Sequence, residues 1–287
     1  MRFDGFITDL AVESAENVGL LEACKVQELD FGITKRSLNV KTKEMAKAVG
    51  RSIGAYTTFD CDKTIYSDPR SAKAIEAYLA QTIKRTIGVK NRSNPTLVVG
   101  LGNGNIAADS LGERVFDKIE VSSKDITKSA TKPPVCAIST SVLGKTGIET
   151  AKLITGVVKE ISPSFVLLVD SLATSVPRRV GLSFQLTTAG IAPGSGIGGD
   201  KEKIDSDVLG VPLLSIGVPT LLALNTLTYN LFKDYLNNLK MQIDEYAFRG
   251  LLSDKAMSNM VVAPKDVDVC VENAANVIAN AINSALK

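Results

Sequence analysis

The chain has 287 residues, 45% hydrophobic and 22% charged, which excludes a disordered chain, a collagen-like repeat and a disulfide-held miniprotein. Net charge is only +2, from 33 basic and 31 acidic residues. There is no basic stripe, and six Tyr, nine Phe and no Trp are too sparse for a base-stacking surface, so no direct nucleic-acid partner is expected.

The N-terminus, Met1-Arg2-Phe3-Asp4-Gly5, lacks the apolar stretch of a secretion signal. No window approaches the roughly 18 uncharged apolar residues of a membrane span, so a cytoplasmic protein is expected. Residues 14–93 mix helical and strand signals. Within them, Ser67-Asp68-Pro69 marks a helix start, followed by Ala72, Ile75, Tyr78, Leu79 and Ile83 at helical spacing. Asn91 to Pro95 breaks that pattern. From residue 96 the chain alternates. Thr96 to Leu101 reads as a buried strand, Asp109 to Ile119 as a helix, Val135 to Ile138 as a strand and Thr150 to Ile161 as a helix. Phe165 to Asp170 is the clearest strand, apolar until its closing acid. Strands are expected at 182–187 and 213–218, and helices at about 220–240 and 266–286. This alternation predicts an α/β fold: a mainly parallel sheet with helices on both faces, in three layers. No internal repeat divides the chain, and residues 1–287 are read as one domain.

The chemistry is bounded by an absence. There is no His, which removes Ser-His-Asp and Cys-His nucleophiles, the HExxH zinc site and His acid–base work. Cys24, Cys61, Cys136 and Cys270 form no CxxC pair, so neither a metal site nor a disulfide framework is expected. Carboxylates, Lys, Tyr, Ser/Thr and Cys remain.

Ligands of open α/β sheets bind beyond the carboxyl ends of the strands, and three loops there have unusual composition. Gly100 to Asp109 contains G-x-G-x-x-A from Gly102, a form of the dinucleotide fingerprint, but the acid that should close the next strand is missing: Ser139-Thr140 stands there. Asp170, after its apolar run, is either a turn or cap residue or a carboxylate presented at the ligand edge. Thr188 to Gly199 holds five glycines in ten residues. It can bind an extended peptide through its amides, face an oxyanion, or be a plain surface turn. With His absent, two aspartates at neighbouring strand ends are the most economical hydrolytic apparatus left. One takes a proton from water, and the other, kept protonated by the like charge beside it, donates to the scissile carbonyl.

Several segments together resemble the germination proteases, or spore proteases, of endospore-forming bacteria. They are Thr8-Asp9-Leu10-Ala11-Val12-Glu13, Val98 to Asn103 with Asp109-Ser110-Leu111-Gly112, Gly144 to Thr150, Asp170-Ser171-Leu172-Ala173, Thr188 to Gly198, Ile216 to Thr220 and Val262 to Asp268. They run in the family's order over nearly the whole chain. The resemblance implies an atypical aspartic endopeptidase that degrades small acid-soluble, DNA-protecting spore proteins at germination. It also implies a homotetrameric zymogen, a location in the spore core, a fold similar to the hydrogenase-maturing endopeptidases, and no cofactor or metal. By motif, the catalytic carboxylates are Asp109 and Asp170. Gly102, Asn103, Gly194, Ser195 and Gly196 are candidate substrate-binding positions. Asp9 and Leu10 copy the family's cleavage site, an acid before an apolar residue, Ala, a small residue and another acid, which makes 1–9 a removable segment. Ser175 stands where members often carry Arg, with Arg179 a later basic position, and Ala192 where many carry His. Three other readings remain: a nickel-dependent maturation endopeptidase, disfavoured without an imidazole ligand; a non-catalytic or regulatory member of the same fold; and a dinucleotide-binding enzyme.

Overall fold

A computed structural model of the chain describes residues 8–88, 94–122, 134–192, 203–241 and 260–287, with 244, 248, 250 and 252. The strands are β1 (Lys25–Glu28), β2 (Thr34–Val40), β3 (Gly54–Asp60), β4 (Thr96–Gly100), β5 (Val135–Ser139), β6 (Phe165–Thr174), β7 (Ser183–Thr187), β8 (Leu213–Ala223) and β9 (Val261–Val262). The helices are α1 (Ala11–Asn17), α2 (Lys43–Val49), α3 (Pro69–Ile87), α4 (Leu111–Phe116), α5 (Leu143–Thr146), α6 (Thr150–Ile161), α7 (Ser206–Leu209), α8 (Leu224–Asn238) and α9 (Val267–Leu286). Among the described residues the strands form one sheet in the order β1-β2-β3-β7-β8-β6-β4-β5, with β9 on the end of β8.

The α/β class is the expected one, and the sheet is mixed. β8, β6, β4 and β5 run parallel, joined by helical crossovers. β1, β2, β3 and β7 pair antiparallel, and β7 meets β8 antiparallel, so β8 is where the halves join.

Local signals explain several elements. The Asp68 side chain accepts from the Arg70 amide at 3.0 Å and Pro69 opens α3, as the sequence predicts. α6 has the expected bounds and turns Ala151, Ile154 and Val158 inward. Two expectations shift. The strand expected at 213–218 runs to Ala223, because Leu222 and Ala223 pair with β9 and β6 continues to pair alongside after a register shift between Leu172 and Ala173, so the next helix opens only at Leu224. The helix expected from Asp109 opens at Leu111, after a single 3-10 turn, Ala107–Asp109.

Alternation along the strands divides the core. The back face, with Val98, Leu167, Val169, Phe184, Leu186 and Ile216, is covered by α3, α4 and α9. On the front face, Leu97, Val99, Val166 and Leu168 pack under α6 and α7. Farther along the front, Leu38, Val40 and Tyr56 pack under α1 and α2. Between these two front clusters the described residues leave an opening over β6, β7 and β8.

α4 sits hard against the end of β4. A Cβ on Gly112 would lie 2.2 Å from the Leu101 backbone, and one on Gly100 would lie 2.2 Å from the Gly112 carbonyl. Gly112→Ala therefore forces helix and strand apart. A loss of about 1–3 kcal/mol is expected, read as a lower urea midpoint at unchanged slope.

Candidate active site

That opening is a cavity of about 230 Å³, and Asp9, Asp109 and Asp170 all line it. Asp170 comes from the sheet. It lies on β6 opposite Gly217 of β8 and is 7% exposed, and its Oδ1 accepts from the Ser171 amide at 3.0 Å. Gln185 of β7 also lies opposite Gly217. Asp170 and Gln185 thus flank one glycine in a single cross-strand row, roughly 10 Å apart at Cα for two strand spacings. Both point forward. Gln185 sits between Phe184 and Leu186, which face back, and is 5% exposed.

Asp109 comes from the loop beyond β4. The Asn103 amide donates to its Oδ2 at 2.9 Å and shares its carbonyl at 3.0 Å. Thr220 of β8 donates to the Ala108 carbonyl at 2.6 Å, tying the turn to the sheet. Gly102, at φ 103°, approaches the Asp109 carbonyl so closely that a Cβ would stand 2.1 Å from it. Gly102 and Asn103 therefore stand behind Asp109, outside the cavity wall, and hold it in position. Of the glycine loop, Gly190 to Ala192 line the cavity, while Gly194, Ser195 and Gly196 lie outside the described residues.

The N-terminal segment forms part of the cavity wall at Asp9. Asp9 donates its amide to the Ala173 carbonyl and accepts the Ala173 amide on Oδ2, both at 2.8 Å. Gln185 takes hold of the next stretch. Its Nε2 donates to the Asp9 carbonyl at 2.9 Å, and its Oε1 accepts from the Ala11 amide at 2.7 Å. Arg51 donates to the Thr8 carbonyl and, at 2.9 Å, to the Ser14 hydroxyl. Leu10 is fully buried and clusters with Val12 and Leu172.

Glu13 is the deepest anchor. It is 1% exposed and accepts from the Ser175 amide at 2.7 Å, the Ser175 hydroxyl at 2.6 Å and the Thr174 hydroxyl. Arg179 lies 3.1 Å from it and also pairs with Glu16 and Asp60. Burial works against the Arg179 charge, but the Glu16 hydrogen bonds and the Asp60 and Glu13 charges outweigh it and hold the guanidinium above its ordinary pKa. The sequence singled out Ser175 and Arg179 as positions of note, and they meet on one carboxylate.

The thiols are poor candidates for nucleophiles. Burial, then Asp60, pushes Cys61 up to about 12, and Cys24 and Cys270 are raised mainly by burial. None of the four cysteines lines the cavity. Gln185 was not among the sequence candidates. Its signal was there: a lone amide between apolar residues of a strand, on the side opposite both.

Residues 9–247 match the family described as germination protease. The chain belongs to the germination protease family. It is 32% identical to the germination protease of Clostridium perfringens, over 98% of this chain and 94% of that one. The corresponding figures are 33%, 99% and 94% for Caldanaerobacter subterraneus, and 30%, 97% and 92% for Bacillus subtilis. Among solved structures it is similar to a [NiFe] hydrogenase maturation protease, HycI, of Thermococcus kodakarensis, at 14% identity and a TM-score of 0.34, covering 55% of this chain and 99% of that one. The chain is thus a peptidase acting on protein substrates, which displaces the dinucleotide reading of the Gly102 loop. No helix among the described residues is long and apolar enough to cross a membrane.

The Glu13–Arg179 pair is buried on both sides, at 1% and 5% side-chain exposure, whereas Arg114–Glu272 is 30% and 40% exposed. Arg179→Met strands buried carboxylates and is expected to cost about 3–5 kcal/mol. Arg114→Met should cost no more than about 1 kcal/mol. Urea denaturation of the two variants beside the wild type checks the contrast.

Proposed function

We propose that this germination protease is an aspartic-type endopeptidase whose catalytic carboxylates are Asp109 and Asp170. The observation that carries the reading is their convergence on one cavity from separate elements, with Asp9 of the chain's own N-terminal segment in the wall beside them. A water oxygen bonds to the scissile carbonyl carbon while one carboxylate takes its proton. The carbonyl π pair moves onto oxygen. The C–N bond then breaks as the pair returns, and the leaving nitrogen takes a proton from the other aspartate in its acid form. The two residues act as a coupled pair that shares the acid and base roles.

We read the chain as one protease domain whose residues 1–9 are removed by its own cleavage between Asp9 and Leu10. The hydrogen bonds that fix Asp9 at the cavity support this, because a tethered segment meets the site at high effective concentration and blocks it until cut. Its substrates in trans are then the small acid-soluble spore proteins, in the spore core, and the intact chain is the zymogen. A homo-oligomer, a tetramer by resemblance, fits the apolar side chains that α8 leaves exposed, Leu231, Phe232 and Tyr235.

Asp109→Asn and Asp170→Asn should each abolish most cleavage of a purified acid-soluble spore protein while the chain stays folded. The double variant should lose little more, since groups acting as a unit are not additive. Mass spectrometry of the fragments reads this directly, and full activity in either single variant would remove that residue from the mechanism.

Intact-mass measurement after incubation in mild acid tests the processing. The wild type should lose Met1 to Asp9, and Asp170→Asn should keep them. A wild-type chain that stays full length yet digests spore protein would sink this part.

A further inference from the structure

We propose that Gln185 is the residue that grips the scissile peptide and polarises its carbonyl. The inference rests on the reading of Asp9–Leu10 as the bond cut, and it adds a third functional group to the aspartate pair.

Gln185 spans that bond. Its Nε2 donates to the carbonyl oxygen of Asp9, the oxygen on which charge develops when water adds, and its Oε1 accepts from the Ala11 amide just beyond. The partners fix the orientation of the amide. A backbone N–H can only donate and a backbone carbonyl can only accept, so oxygen must face Ala11 and nitrogen must face Asp9.

The side chain is held for this task. It is 5% exposed, it projects from a strand paired on both sides, and it shares the Gly217 row with Asp170. A donor fixed in a site shielded from water, at 2.9 Å from the carbonyl oxygen, needs no reorganisation as the C=O bond opens. The amide also acts as a short piece of strand, with one donor and one acceptor facing an extended peptide. It therefore binds main chain, and any substrate that follows the path of Asp9 to Ala11 meets the same two atoms whatever its side chains.

A plainer role is available. The first amide of α1 has no side-chain cap from Leu10, so Gln185 Oε1 caps that helix from outside. The two roles use different atoms, which allows them to be separated. Gln185→Glu keeps an acceptor for the Ala11 amide and, when ionised, removes the donor to the Asp9 carbonyl. Gln185→Met removes both at similar length.

The experiment follows the first-order loss of Met1 to Asp9 from the full-length chain by intact mass, at mildly acidic and neutral pH. Wild type, Gln185→Glu, Gln185→Met and Asp170→Asn are run together, with thermal unfolding as the folding control. Loss of one such donor slows the chemical step roughly a hundredfold to a thousandfold. Both Gln185 variants should therefore slow by that factor at neutral pH. Gln185→Glu should recover part of its rate in acid relative to Gln185→Met, because its protonated carboxyl can donate again. A structural cap alone would leave Gln185→Glu at the wild-type rate. That result, with Asp170→Asn inactive, overturns the role of Gln185 and leaves the aspartate pair intact. Normal processing by Asp170→Asn would instead remove Asp170 from the mechanism, and a wild-type chain that keeps residues 1–9 would overturn the inference together with the bond it rests on. Should Gln185→Met fail to fold, the comparison of Gln185→Glu with wild type still decides.

Discussion

Gly217 is the residue on which the geometry of the site depends. It lies on β8 between Asp170 and Gln185, and a Cβ there would come within 2.6 Å of Leu172 Cγ. Without that Cβ, Leu172 leans over β8 and becomes the surface on which Leu10 and Val12 pack. One missing side chain thus opens the face between the two flanking polar groups and supplies the apolar floor for the peptide above them. The placement follows from the sheet's mixed character. β8 has a parallel neighbour on one side and an antiparallel one on the other, and the mid-strand acid of β6 and the mid-strand amide of β7 lie in the same row across it.

The N-terminal segment is fixed by contacts of two kinds. Around Asp9 they are hydrogen bonds to main chain and to Gln185, each worth about 1 kcal/mol net. From Leu10 onward they are burial and charge: Leu10 and Ala11 are fully buried, and Glu13 is matched by Arg179, Thr174 and Ser175. A buried ion pair is weak evidence for stability, because desolvation offsets most of its attraction. What it imposes here is register. A slip by one residue would take Glu13 from Arg179, Thr174 and Ser175 and Asp9 from Ala173 together.

The parallel half of the fold was legible in the sequence because its strands and helices are buried in their own characteristic periods. α6 and the first six residues of β6 are examples, and the Asp68-Pro69 start of α3 is a purely local signal. The antiparallel half was not. β1 is exposed along its whole length and most of β2 is half-buried, so neither shows an alternation to read, and their pairing depends on contacts distant in sequence. Pro219 and Thr220 resemble a helix start, yet pairing of β8 with β6 and β9 overrides that local preference. At the cavity, Asp170 stands out as an acid after an apolar run and Asp109 by its motif, and both line the same wall. Gln185 was marked only by being a lone amide between Phe184 and Leu186 of an apolar strand, and its role as a partner of the Asp9 carbonyl and the Ala11 amide depends on contacts distant in sequence.

The asymmetry of the contacts governs the state of the cavity after cleavage at Asp9–Leu10. Among the described residues, the part before the bond is met by Arg51 at Thr8 and by Ala173 and Gln185 at Asp9, hydrogen bonds that water can replace once the covalent link is gone. The part after it belongs to the core, through Leu10, Ala11 and Ala15, and to the Arg179 cluster through Glu13 and Glu16. Cutting this bond would release the short piece and leave α1 in place. The space around Ala173 and Arg51, beside Asp109 and Asp170, would then be open to another peptide. Asp109 and Asp170 would then face a cavity with Gln185 Nε2 freed from the Asp9 carbonyl. Among the described residues, the apolar burial of Leu10 and Ala11 and the ion pairs of Glu13 and Glu16 all lie on the side of the bond that stays.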